Sequence, residues 1–120
     1  MATADVWKLN SCNLLVAQID SISLHTADTS NGGSEVTGGG YARKTPSWNS
    51  AAIVFGGSDN GKARSAANPL QFNVPGGVAV THYGVWKAGV FQYAKPLTPG
   101  STLNANGVVE VTPTHVYDLP

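Results

Sequence analysis

The side chains best able to do chemistry in this sequence are few, and each group can be tested against the spacing its reaction requires. His25 and Asp28 in "LHTAD" could act as a base and its orienting carboxylate, with Ser23 or Ser34 as nucleophile. No G-x-S-x-G elbow accompanies them, and a single strand histidine is more often hydrogen-bonded or at the surface. Asp28 and Glu35 could be read as a glycosidase pair, but carboxylates beside a glycine-rich loop usually cap turns. His25, His82 and His115 could in principle converge on a metal, but their wide separation spells no metal motif in the sequence. "GGSDNGKA", Gly56 to Ala63, nearly spells a phosphate-binding loop. Ala63 stands where the magnesium-binding hydroxyl belongs, and Pro69 leaves little room for the helix that should follow. Asp59-Asn60-Gly61 is ordinary turn chemistry. Trp48, Tyr83, Trp86, Phe91 and Tyr93 could form a sugar platform, against the plainer reading of core packing and interface anchors. These comparisons assign no catalytic residue, cofactor or metal, and the expectation is a protein that is not an enzyme.

The elements that would position these residues are short. The 120 residues suffice for one domain, expected over 1–120. Fourteen glycines and seven prolines punctuate segments rich in Val, Thr, Tyr and Trp, which is the rhythm of an all-β sandwich or barrel, immunoglobulin-like or jelly-roll-like. A helix is suggested only within the N-terminal segment 1–20, where Val6, Leu9, Val16 and Ile19 fall near one face with Leu15 beside it. "DSISLHTAD" alternates, with Ile22, Leu24 and Thr26 on one side and Ser21, Ser23 and His25 on the other. "SAAIVF", "NPLQFNV" and "GVVEVTP" read as strands, and "GGSDNGKARSAA" as a long polar loop. "VAVTHYGVWKAGVFQYA" reads as a hairpin turning near Lys87 to Gly89, with a further turn at Pro96 and Pro99-Gly100. "THVYDLP" completes a C-terminal arm, 113–120.

Charge narrows the partners. Seven basic and seven acidic residues balance, so neither nucleic acid nor an anionic membrane is expected as a partner. Charged residues are 12% of the chain, about half the usual share. Copies of such a surface repel each other weakly, which suits a protein packed against neighbours. The single cysteine, Cys12, rules out an internal disulfide and paired-cysteine zinc motifs and reads as a small buried side chain. The first 20 residues lack the basic start and apolar run of a signal peptide, so synthesis in a cytoplasm without export by the usual route is expected.

The run Gly38, Gly39, Gly40 in "EVTGGGYARK" poses a sharper choice among phosphate loop, linker and rigid turn. The dinucleotide fingerprint needs a helix after the glycines, yet Tyr41 favours strand and Pro46 blocks a helix. A strand, a glycine kink at positive φ and a second strand explain the run better.

"LHTAD", "SEVTGGGYARK" and "VTHYGVW", with the closing "PGSTLNANGVVEVT", resemble a family of small tailed-bacteriophage virion proteins described as tail fibre, minor tail or minor capsid proteins. Thr29 stands where many members have proline, and the chain runs on through Pro113 to Pro120. The resemblance implies a β fold, a place in the virion, a structural glycine kink and no catalytic residue. A tail fibre usually shows repeats or heptads, and neither is visible here. The expectation is therefore a capsid decoration (cement) protein, a homo-oligomer on the phage major capsid protein or other virion proteins. The alternatives are a minor tail, tail fibre or baseplate protein, or a host-glycan-binding module. Trp86, on the mixed-polarity strand Val80 to Trp86, is a candidate contact residue, as are Tyr117 and Leu119 in the arm.

Overall fold

Glycine-punctuated, β-branched segments of this kind bury themselves by pairing, and they do so in two compact units. The computed structural model describes residues 3–117. Unit 1 comprises Met1–Gln18, Ser47–Asn68 and Thr112–Pro120, and unit 2 comprises Ile19–Pro46 and Pro69–Val111. The described residues are mostly β with several antiparallel sheets and one short N-terminal helix, in accord with the all-β expectation.

In unit 2, β1 (Ser21–His25), β5 (Ala79–Lys87) and β6 (Val90–Thr102) form an antiparallel sheet in the order β1-β5-β6. The turn between β5 and β6 falls where the sequence places it. Ala88 and Gly89 both have positive φ, 49° and 77°, the two-residue turn whose twist matches a hairpin. β6 continues past Pro96 and Pro99, which the sequence marks as a turn. It lies at the sheet edge, where a proline's missing N–H costs no ladder bond. β4 (Leu70–Val74) pairs with β7 (Gly107–Val111). Ile22, Leu24, Phe72, Val74, Val80 and Val85 are fully buried, so the alternating apolar positions form this unit's core.

Residues 35–44 do not form the two strands expected around the glycines. They make isolated bridges, His25 with Glu35 and Ile22 with Lys44. Three successive glycines at φ 86°, 64° and 82° turn the chain too sharply for a ladder to propagate. Those bridges nevertheless cover the free edge of β1. Ile22 and Lys44 exchange both backbone bonds, Val36 N–H donates to Leu24, and Thr26 N–H to Ser34.

Unit 1 carries α1 (Asp5–Val16) against a small sheet in the order β2-β3-β8, with β2 at Ala52–Ile53, β3 at Ala63–Ala66 and β8 at Thr114–Tyr117. Two expectations change here. The polar loop after Gly56 is cut short by β3, and the first half of the C-terminal arm is β8, paired residue for residue with β3. Alanines and a serine gave β3 little sequence signal, because cross-strand pairing rather than propensity makes it a strand. Helix α1 buries Cys12 and Val16 but leaves Val6 64% exposed, so Val6 is not on the buried face the sequence suggested. The Cys12 thiol is closed off from solvent, approaches the His115 carbonyl at 3.6 Å, and is pushed up in pKa by burial.

Candidate functional site

The three sequence segments of the "LHTAD" constellation meet around β1 of unit 2, and the register shows how. Ser21, Ser23 and His25 lie opposite Trp86, Gly84 and His82, while Ile22 and Leu24 lie opposite Val85 and Tyr83. The second set packs into the apolar core. The first set faces the other way, on the polar side of β1. Yet Ser23 and His25 are fully buried and Trp86 is only 8% exposed.

Burial of these polar groups is possible because they satisfy one another. The Trp86 indole Nε1–H donates to Ser23 Oγ at 2.7 Å. Ser23 Oγ lies 2.6 Å from His25 Nε2, and His25 Nδ1 lies 2.8 Å from the Gly33 carbonyl. A carbonyl can only accept, so Nδ1 carries the proton and the serine hydroxyl donates to Nε2. The chain thus runs from indole to hydroxyl to imidazole to backbone without an unpaired group. Its shape depends on two glycines. A Cβ on Gly84 would stand 2.5 Å from both Ser23 Oγ and His25 Nε2. A Cβ on Gly32, which sits at φ 86°, would stand 2.6 Å from the Trp86 ring. Phe91 closes the group, edge-on to Trp86 at 5.3 Å and to His25 at 6.1 Å.

A second cluster holds the segment around the glycine run. The Leu24 N–H has no backbone partner at the sheet edge and donates instead to Tyr41 Oη at 2.8 Å. Tyr41 donates onward to Glu35 Oε2 at 2.8 Å. Arg43 grips both carboxylate oxygens, Nε to Oε2 at 3.0 Å and Nη2 to Oε1 at 2.8 Å, the bidentate geometry that makes such pairs strong. The same guanidinium lies 3.7 Å from the Trp86 ring centroid, a cation–π contact that joins the two clusters. Burial alone would raise the Glu35 pKa, but hydrogen bonds from Arg43 and Tyr41 and the arginine charge outweigh it and hold the carboxyl below its usual value. Burial, with the neighbouring Glu35 carboxylate, pushes the Tyr41 hydroxyl well above the usual tyrosine range. The Arg43 guanidinium is raised, chiefly by its hydrogen bond to Glu35.

The sequence-predicted site residues are distributed unevenly. Ser23 and His25 do meet, but as neighbours on one strand face with the hydroxyl sealed from solvent. Asp28 is not their third member, because its carboxylate accepts from the Thr29 N–H. Gly38, Gly39 and Gly40 all lie at positive φ, and a Cβ on Gly39 would stand 2.7 Å from the Pro75 nitrogen. The run is therefore a turn pressed against another backbone. Trp86 is occupied internally. Tyr117 is half-buried in β8, and Leu119 lies outside the described residues. His25 and His82 are cross-strand partners in unit 2, while His115 lies on β8 of unit 1.

The near-phosphate loop of unit 1 closes on itself. Gly61 N–H donates to the Val54 carbonyl, Gly56 N–H to the Asn60 side chain, and Lys62 Nζ reaches Asp59 at 3.4 Å. It leads into β3 and not into a helix. Of the supposed aromatic platform, Tyr83 and Trp86 are buried and Phe91 packs on Trp86. Trp48 is in unit 1, with its indole nitrogen buried.

Sequence reasoning missed the Glu35–Tyr41–Arg43 cluster. Tyr41 and Arg43, two apart on an extended segment, could have signalled it, since such residues share a side. A glycine inside "HYGVW" likewise signals close approach, and Gly84 fulfils it. No curated protein and no solved structure matches the chain. Residues 21–117, which include both clusters, match the family described as Podophage GP4 fiber I protein gp80, and a match over that much of its length places this chain in that family.

Proposed function

We propose that this chain is a fibre-type structural component on the tail side of a short-tailed phage virion, with no catalytic role of its own. Membership of a podophage fibre family makes it a bacteriophage virion structural protein. That match is the observation that carries the finer reading, and it favours the tail-fibre alternative over the head-cement role that the absence of repeats had put first. The geometry agrees in kind. The side chains that looked reactive are consumed in holding β1, the glycine turn and the β5–β6 hairpin together. A fibre component needs a fixed shape presented to other virion proteins, and rigid internal networks supply it.

The test is localisation. Virions carrying an epitope-tagged copy of this chain, imaged with gold-labelled antibody and by reconstruction, are expected to show label at the tail end. Even labelling over the head, with unlabelled tails, would overturn the fibre reading and restore the cement one. For the non-enzymatic part, Ser23→Ala should lower stability by leaving Trp86 Nε1–H and His25 Nε2 unpaired, while virions that still assemble should remain infectious. Its loss of infectivity in virions that assemble normally would count against a purely structural role.

A further inference from the structure

Helix α1 is apolar on two opposite faces. Cys12 and Val16 face inward and are essentially closed to solvent. On the far side Val6, Trp7 and Leu14 are 64%, 58% and 67% exposed, and exposed Asn10 lies among them. Positions 7, 10 and 14 follow the 3–4 spacing of a helix seam, with Val6 along its flank. A tryptophan and two aliphatics gathered on one short helix are more than scattered surface apolar residues. The stripe begins before residue 21, outside the residues matched by the fibre family, so the match assigns it nothing.

We propose that this face is a homotypic contact, in which α1 packs on α1 of a second copy. Two features select a second copy over a foreign partner. First, the stripe is uncharged. Asp5 and Lys8 lie off it, and Lys8 Nζ is held by the Gly61 carbonyl at 2.7 Å. Like faces can therefore meet without burying like charges. Second, the polar residue at its middle is an asparagine, whose amide both donates and accepts and so complements its own copy across a symmetry axis. A buried asparagine in a helix seam also fixes register. The helix has 12 residues and spans about 18 Å. One such face is small beside the roughly 800 Å² per partner of a stable interface, so a single contact is weak and gains strength from copies held close together in an assembly. This goes beyond the virion role and holds wherever in the particle the chain sits.

Sedimentation velocity on the full chain, from about 10 μM to about 1 mM, tests it. The wild type is expected to associate as concentration rises, and Trp7→Glu and Leu14→Glu to remain monomeric with unchanged circular dichroism. Asn10 lies near the centre of the contact whether the helices run parallel or antiparallel. Asn10→Glu and Asn10→Lys should each be monomeric alone, and their equimolar mixture should associate. A wild type that stays monomeric throughout, glutamate variants that still associate, or an Asn10 mixture that stays monomeric would each overturn the proposal.

Discussion

Two glycine-rich turns in this protein look alike in sequence and are held in different ways. Gly38, Gly39 and Gly40 in unit 2 and Gly56, Gly57 and Gly61 in unit 1 all lie at positive φ. Around the first run, Gly39 is pressed on the Pro75 backbone. Around the second, a Cβ on any of the three glycines would meet nothing within 4 Å. Both need glycine for its dihedral freedom, but only the first also needs it for space. Local chain economy explains the second turn, which closes on its own backbone and Asn60. The first is a packing element, fastened on either side by Glu35, Tyr41 and Arg43.

Substituting valine for Gly39 should therefore be the most damaging change in either turn. The variant meets a dihedral cost of about 1–3 kcal/mol for a β-branched residue at positive φ. It also meets a clash with backbone atoms that no rotamer relieves, which adds about 1–3 kcal/mol. A loss of about 3 kcal/mol or more is expected in urea unfolding. A loss no larger than that of the same substitution at Gly57 would mean that the Pro75 contact contributes nothing.

Gly84→Ala separates space from dihedral. Gly84 lies in a strand outside the positive-φ range, so alanine is tolerable to the backbone there, but its Cβ would wedge between Ser23 and His25. Parting that buried hydrogen bond should cost about 1–3 kcal/mol and change the near-ultraviolet signal of Trp86. An unaltered spectrum and midpoint would show that the network shifts without strain. Gly57→Ala is the converse case, with φ at 72° and open space. A left-handed alanine costs about 1–2 kcal/mol, part of which is offset by the stiffer unfolded chain, so a loss near 1 kcal/mol is expected. A larger loss would point to contacts around that loop beyond the dihedral.

The same contrast shows what the sequence could reveal. Turn chemistry is local, so the Ala88–Gly89 hairpin turn, the positive-φ glycine run and the Asp59-Asn60-Gly61 turn were all readable. Apolar alternation likewise put Ile22 and Leu24 on one side of their strand, and that side packs into the core. Pairing partners are not local. The strands of β3 and β8 exist because Ala63–Ala66 and Thr114–Tyr117 find each other; the first has little strand propensity, and the Thr, Val and Tyr of the second favour a strand without showing what it pairs with. The polar side of β1 shows the same limit. Serine and histidine at alternate positions look like a solvent face unless the tryptophan and glycine that receive them, on a distant segment, are known to lie opposite. Helix α1 misled for a related reason. With apolar residues on both faces, its pattern did not reveal which one was buried.

The smallest expected effect concerns the ion pairs beside the two turns. Lys62 and Asp59 are separated by 3.4 Å, three residues apart on an open loop, and such pairs are worth about 0.5 kcal/mol or less. Glu35 and Arg43 are bidentate at 2.8 Å, with Glu35 21% and Arg43 37% exposed. Solvent screening of the exposed guanidinium still limits the pair to about 1 kcal/mol. What distinguishes it is its pH dependence. The Glu35 carboxyl titrates below its ordinary value of 4.5 in the folded protein. Its contribution is therefore complete above about pH 4.5, where the unfolded carboxyl is also ionised, and is lost as pH falls through the lower folded pKa. Glu35→Gln keeps an acceptor for Tyr41 but removes the charge facing Arg43. The midpoint difference between wild type and variant should be greatest near neutral pH, shrink in acid, and shrink also in about 1 M salt. An equal difference at all pH values would mean that Glu35 acts through shape and hydrogen bonding alone, leaving the glycine turn held by Pro75 and Tyr41 without help from charge.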